Sequence, residues 1–474
     1  MSSKKFLPSK YTHLVESDTG NLLIYCADTF SFVKVGGALK EKVKALFDSA
    51  EPISKEDIPQ VLIHRGFFVP EDYDYDTILT MRYLNLVNSS EVLRISILTT
   101  GQCNFRCLYC NEPFIEGKMT EEVQDSIIAY IKKKLLGYKS LRIDWFGGEP
   151  LMALDVIRRM SQKLMEICRA YKKPYTASIT TNGYYLTKDV FEELLKYKVI
   201  NYQITIDGTK EVHDAQRMLA NGEGTYDVIM KNFSDIHKYV KSQMFEIALR
   251  TNFTKPALDN LGDYLCEIEK VIEDDRRFTL YPAVADDWGG ERTSEIKEDL
   301  LEGSREDGYI AIMKAFERHR TKLSVNSFLT LLVPRIRCIA SQKNFYAFSP
   351  KGIMHKCTNE FLLDGTSKIG EYRNRKWEVD AIEESKWLLQ PINELNECKT
   401  CFLFPVCLNT ICPKVLYQLK YREPNINKDD IKKMKFCHHG RSIVDDILRY
   451  SEEGTKFYQL TENDFKGVQL NEKS

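Results

Sequence analysis

From residue 93 onward the chain alternates short apolar runs with longer amphipathic ones. The runs LRISIL, LRIDWF, YTASIT, INYQITI, FEIALRT and RFTLY have strand length and are rich in β-branched and aromatic residues. Between them, Thr120 to Leu136, Leu154 to Tyr171, Lys188 to Tyr197, Thr225 to Lys241 and Pro256 to Ile272 place apolar residues at helical spacing. Such alternation builds a parallel sheet, because a parallel neighbour is reached only through a long crossover. Six units fall short of the eight that close a full barrel. The expected fold is therefore α/β, an open partial (β/α)6 TIM barrel, with a flat doubly wound sheet as the alternative.

The first 90 residues follow another rhythm. Strand-like YTHLVE, LLIYCA and FSFVKV are separated by turns, and two helical patterns come next. GALKEKVKALFDSA sets Leu39, Val43, Leu46 and Phe47 on one face, and SKEDIPQVLIHRG carries a Ser-x-x-Asp start and a glycine stop at Gly66. With FFVP after them, these elements make a compact winged-helix-like unit, or simply a small packing domain. Beyond about residue 335 the chain turns rich in cysteine and turn residues, and it ends in a helical pattern and a polar tail.

Composition narrows the setting. The chain has 474 residues, with 67 Lys and Arg against 68 Asp and Glu, a balance that argues against a broad nucleic-acid or membrane surface. No stretch reaches the ~20 apolar residues of a membrane span, and no secretory signal opens the sequence. A cytoplasmic location is expected, and there the 13 cysteines are poor candidates for disulfides. Ten of them are clustered or ordered by spacing; Cys26, Cys168 and Cys266 stand alone in apolar contexts and are expected to be buried and inert.

In a parallel barrel, chemistry sits on the loops that leave the carboxyl ends of the strands. After the first strand comes CNFRCLYC, with Cys103, Cys107 and Cys110; after the second, GGEP from Gly147; after the third, TTNG; after the fourth, DG at Asp207. Three closely spaced thiolates suit a four-iron cluster with one iron left open. A tetrahedral zinc site is the rival, although it usually takes a fourth ligand that this loop does not supply.

CNFRCLYC, with the aromatic Tyr109 before its third cysteine, resembles the C-x3-C-x2-C signature of the radical S-adenosylmethionine enzymes, and the pattern from about 93 to 320 looks like their partial barrel. The resemblance implies that Cys103, Cys107 and Cys110 hold a [4Fe-4S] cluster whose open iron binds S-adenosylmethionine. Reductive cleavage then yields a 5′-deoxyadenosyl radical that takes a hydrogen atom from the substrate. It also implies cofactor contacts from Gly147, Gly148 and Glu149, the glycines admitting close backbone approach, and from Thr181 and Asn182. Thr205, Asp207 and Arg217 in ITIDGTKEVHDAQR resemble a pattern of the family's peptide-modifying branch, and Asn252 is a further candidate. Arg217 would grip a carboxylate through two parallel hydrogen bonds, or else make an ordinary surface ion pair.

The carboxyl-terminal cysteines run Cys338, Cys357, Cys398, Cys401, Cys407, Cys412 and Cys437, with Gly352 between the first two. This order resembles the SPASM domain, a module with two auxiliary iron–sulfur clusters; the four residues between Cys407 and Cys412 depart from its usual three. The module's crossed topology implies an outer cluster on Cys398, Cys401, Cys407 and Cys437 and an inner one on Cys338, Cys357 and Cys412, making three [4Fe-4S] clusters in all. Domains are expected at 1–90 (leader-peptide recognition), 91–325 (barrel) and 326–474 (SPASM). The implied enzyme matures a ribosomally made precursor peptide by thioether formation, as in sactipeptide or ranthipeptide synthases. Its leader would bind the amino-terminal unit, and a flavodoxin or ferredoxin would donate electrons. Carbon–carbon crosslinking, formylglycine formation in a sulfatase, and an electron-transfer or sensor protein without radical chemistry are the alternatives.

Overall fold

The computed structural model describes residues 4–468 except 111, 113, 115–116, 288–291, 304, 320, 326–327, 334–337, 359–366, 389–399, 409–411, 418–420, 422–440, 454–455 and 467. Cys398 and Cys437 lie outside the described residues.

Before the barrel come β1 (Lys5–Pro8), β2 (Thr12–Glu16), β3 (Leu22–Cys26), β4 (Ser31–Val35), β5 (Ile53–Ser54) and β6 (Phe68–Pro70). The barrel strands are β7 (Val92–Leu98), β8 (Ser140–Phe146), β9 (Tyr175–Thr181), β10 (Val199–Thr205), β11 (Glu246–Phe253) and β12 (Phe278–Val284). They lie side by side in chain order, each parallel to the last. A doubly wound sheet reverses its strand order at a switch point. This sheet does not reverse, which leaves an open partial barrel.

Packing explains the crossover helices. In Leu154–Ala170, Val156, Ile157, Met160, Leu164 and Cys168 form one buried stripe, and each large aliphatic group so removed from water contributes about 1.5–3 kcal/mol. That stripe shares a core with Leu93, Ile95, Leu141, Ile143 and Trp145 of the sheet. The helix expected from Pro256 to Ile272 is two, Lys255–Asp259 and Leu261–Ile272. Asn260 ends the first by donating its side-chain amide to the Pro256 carbonyl at 2.9 Å. Cys266 falls on the outward side of the second and is exposed, contrary to expectation, because the buried stripe runs through Leu261, Tyr264, Leu265, Ile268 and Ile272.

The opposite face of the barrel strands is polar. Ser96, Asp144, Ser178, Asn201 and Glu246 lie abreast on five neighbouring strands, with Arg94 beside Arg142 two residues nearer the strand starts. Strands buried on both faces read as continuous apolar runs. The alternation inside LRIDWF and NYQIT thus marks a sheet with helices on one face and a polar channel on the other.

The sheet continues past the barrel. β13 (Ser324–Val325) pairs parallel with β12, and β14 (Phe345–Phe348) pairs parallel with β7. The antiparallel strands β15 (Ile353–His355), β16 (Lys368–Arg373) and β17 (Lys376–Val379) complete eleven. Sequence reading found only turns here, since strands of three to six residues are too short to show a period. Gly352, at φ +73°, closes the hairpin between β14 and β15.

The amino-terminal residues build two small sheets, β5–β1–β6 and β2–β3–β4, the latter extended by β18 (Tyr458–Gln459) pairing parallel with β4. Ser54 stands at the start of only a 3-10 turn and its side chain makes no capping bond; the helix after it is Gln60–His64, entered through Pro59. Every residue of β3 is buried. One face of β3 packs with Val43, Leu46, Leu62 and Leu460, and the other, through Leu23 and Tyr25, joins the barrel's own core. The Tyr25 hydroxyl donates to the Leu332 carbonyl at 2.6 Å, and Phe402 stacks on His13 at 4.3 Å. Among the described residues no helix is long and apolar enough to cross a membrane.

Candidate active site

Three loops meet at the carboxyl end of the barrel. The cysteine loop after β7 is held by backbone: Arg106 N–H donates to Met218 at 2.9 Å and Leu108 N–H to Gln216 at 3.0 Å. The GGEP loop after β8 lies directly on it, with Gly148 N–H donating to Thr100 at 3.1 Å and Glu149 N–H to Gln102 at 2.8 Å. A Cβ on Gly147 would collide with the Thr100 carbonyl, where φ is +137°, and one on Gly148 would stand 2.6 Å from the Gln102 carbonyl carbon. The glycines are therefore required by the contact of loop with loop, a nearer cause than approach to a cofactor. Gly148→Ala should part the two loops at a cost of about 1–3 kcal/mol. Thermal melting and the iron retained on the cysteine loop both report it; an unchanged melting temperature with full iron would contradict the contact.

Glu149, fully buried, ties this pair to the loop after β9. One carboxylate oxygen accepts from Leu151 N–H at 2.9 Å and the Thr181 hydroxyl at 2.7 Å, the other from Asn182 N–H at 2.7 Å. Burial pushes this carboxyl up, and those three hydrogen bonds pull against it. Asn182 donates its side-chain amide to Asn104 at 2.8 Å and accepts from Tyr184 N–H at 3.0 Å. Thr181 and Asn182, expected to offer these groups to a cofactor, use them to hold the loops together in this structure.

A second cluster lies beside the first. The Tyr109 hydroxyl donates to Asp207 and receives bonds from Arg217 at 2.6 Å and from Asn252 at 3.1 Å. Asn252 N–H donates to the other Asp207 oxygen at 2.8 Å, and Arg217 lies 4.0 Å from the first. Asp207, Arg217 and Asn252 are buried and Tyr109 is half-buried, so Arg217 makes a buried pairing and not a surface one; among the described residues its Nε has no hydrogen-bond partner. Thr205 is buried level with Arg250 on β11, outside this network.

Burial pushes the Cys103 thiol up to about 12, with Glu149 adding to it, and Cys107 to about 11. Such a cradle keeps thiols protonated unless a cationic centre enters and holds them as thiolates. Among the described residues no three His, Cys, Asp or Glu side chains gather closely enough to share one metal ion. A four-iron cluster asks less of them, because each thiolate binds its own iron, and a donor set of three half-buried thiols fits it. Further off, Cys338 and Cys412 lie close enough for the charge of one to raise the other, although 73 residues separate them in the chain.

Sequence reading missed the channel beneath this mouth, a cavity of about 400 Å³ lined by Arg94, Arg142, Asp144, Ser178 and Gln203, and by Ile339 and Thr358. Its signal was present in the polar alternate positions of the barrel strands.

The radical SAM superfamily model matches residues 97–255. The GTP 3',8-cyclase of Clostridium botulinum (strain Langeland) is 27% identical over 315 residues, 64% of this chain and 88% of that protein. The cysteine-type anaerobic sulfatase-maturating enzyme of Clostridium novyi is 29% identical over 153 residues, 30% of this chain and 39% of its own. The structure of native anSMEcpe with bound AdoMet superposes with a TM-score of 0.52 at 18% identity, covering 75% of this chain and 99% of that one, which is a likeness of fold. A chain whose sequential parallel strands carry three cysteines on the first loop, and whose residues 97–255 match that model, contains a radical SAM domain.

Proposed function

We propose that this radical SAM enzyme matures a ribosomally made precursor peptide, joining a peptide cysteine sulfur to a carbon of an acceptor residue. The observation that carries the reading is that the segments bearing Cys338 and Cys357 border the channel. Ile339 and Thr358, next to Cys338 and Cys357, line the channel wall, and Cys412 acts on Cys338. In this reading the region is a SPASM domain. Cys338, Cys357 and Cys412 hold an inner auxiliary cluster, and Cys398, Cys401, Cys407 and Cys437 an outer one.

When bound to the first cluster, S-adenosylmethionine supplies the means to remove one hydrogen atom from carbon. The chain's own residues do the rest. Cys103, Cys107 and Cys110 anchor the cluster, Glu149 locks their loop to its neighbours, and Tyr109, Asp207, Arg217 and Asn252 brace the far side. Joining sulfur to carbon also releases the thiol proton and one electron, for which the auxiliary clusters are the proposed acceptor.

Leader capture by strand addition has a limited choice of edge. β4 already carries β18, and β2 is held by the helix Arg441–Tyr450, through His13 to Asp445 at 2.6 Å and Arg449 to the Glu16 carbonyl at 3.1 Å. The proposed docking edge is therefore in the β5–β1–β6 sheet. A related structure, native anSMEcpe, holds AdoMet and the Cp18Cys peptide.

The similarity to GTP 3',8-cyclases favours a second reading, a purine nucleotide substrate. Reduced enzyme given S-adenosylmethionine and a cysteine-containing precursor peptide should yield 5′-deoxyadenosine and a peptide lighter by two hydrogens, with one thiol fewer to alkylate. A lighter peptide with every thiol still alkylated would mean carbon–carbon crosslinking. Loss of sulfur would mean formylglycine formation, and turnover of GTP alone the nucleotide reading.

A further inference from the structure

The channel floor holds more positive charge than it uses. Asp144 accepts from Arg94 Nε, from Arg142 Nε at 3.1 Å and from the Ser178 hydroxyl. Among the described residues each guanidinium engages the protein only through Nε, so both leave their forked pair of NH2 groups turned to other partners. Among the described residues, two guanidiniums against one carboxylate leave one positive charge at this edge of the channel. Glu246 shares the row of Asp144 but stands three strands away, about 14 Å at the usual strand spacing. The side chains of Arg94 and Arg142 are 34% and 36% exposed and face a cavity of about 400 Å³, the low end of ligand pockets.

We propose that Arg94 and Arg142 receive the side-chain carboxylate of an Asp or Glu in the substrate peptide, so that the channel selects peptides with an acidic residue near the one modified. The inference rests on the peptide reading above. A forked guanidinium matches a carboxylate through two parallel hydrogen bonds. One surplus positive charge balances one carboxylate. A phosphate would bring nearly twice that charge against Asp144, which remains in place. The acidic residue lies a few residues from the reacting one: from Asp144 to Gly148 at the mouth, the strand and its loop span about 13 Å, roughly four residues of extended peptide. Between the two levels, Gln203 and the Thr180 hydroxyl line the path and offer hydrogen bonds to peptide groups.

The test uses full-length anaerobic holoenzyme and fluorescein-labelled, end-blocked tetrapeptides Ala-Glu-Ala-Ala and Ala-Gln-Ala-Ala in equilibrium dialysis, with unlabelled GTP as a competitor. The acidic peptide should bind at least tenfold tighter. Arg94→Gln with Arg142→Gln should erase the difference, and Arg142→Lys, which keeps the charge without the fork, should keep part of it. Equal binding of both peptides, binding of neither, or a preference that survives the double substitution overturns the proposal. GTP displacing the acidic peptide from wild type but not from the double variant would move the site to a phosphate and overturn it too. The peptide reading stands or falls separately, on the thiol count of the matured product.

Discussion

Replacing Cys103, Cys107 and Cys110 together by alanine is expected to remove about a third of the iron from anaerobically purified protein, on a total of ~12 irons in three four-iron clusters. All cleavage of S-adenosylmethionine should go with it. The fold should survive, because the loop's scaffolding runs through backbone. Arg106 and Leu108 bond to the segment at Gln216–Met218, Phe105 bridges to Leu219, and Gln102 receives Glu149 N–H. Among the described residues the sulfurs of this loop accept only weak bonds, from Phe105 N–H to the Cys103 sulfur at 3.3 Å and from the Asn182 amide to the same sulfur at 3.9 Å. Alanine at these positions thus empties a donor set without unpinning the loop. Iron analysis, circular dichroism and assay of 5′-deoxyadenosine separate the effects: full cleavage by the triple variant would end the radical reading.

The barrel was legible because its elements are long. Runs such as LRIDWF and the stripe through Val156, Met160 and Leu164 repeat often enough for a period to stand out, and the motif loops follow each strand end as a parallel barrel requires. Legibility failed where structure depends on partners distant in sequence. β14 is four residues long and exists by pairing with β7. The amino-terminal unit looked self-contained, yet Tyr25 and Leu23 bury against the barrel and a carboxyl-terminal strand completes its sheet. In the site, types and order could be read, but not which groups were already spent. Nothing in TTNG says that its amide and hydroxyl turn to Asn104 and Glu149. The polar channel was readable in principle: Arg142 and Asp144 alternate with Leu141, Ile143 and Trp145, in a strand that two-sided burial would have made apolar throughout.

Glu149 is the residue whose loss should do most damage for its size. It accepts three hydrogen bonds where water does not reach, and the donors come from its own loop and from the loop after β9. Alanine would strand Leu151 N–H, Asn182 N–H and the Thr181 hydroxyl. At about 1–3 kcal/mol for each buried group left unpaired, the total is several kcal/mol. Glutamine is the sharper test. Its carbonyl can serve Leu151 and Thr181 together, but its NH2 must then face Asn182 N–H, donor against donor; flipping the amide satisfies Asn182 and faces two donors instead. Glu149→Gln should therefore cost roughly 1–3 kcal/mol although it keeps size and shape. The cost falls on the junction of three loops, so affinity for S-adenosylmethionine should fall along with the melting temperature. In contrast, Asp125, an exposed carboxylate bonded to Arg159 and Lys163, should tolerate Asp125→Asn with a change within about 1 kcal/mol. A Glu149→Gln protein that melts with wild type and binds S-adenosylmethionine as tightly would show that the buried carboxylate fills space and does not fasten the loops.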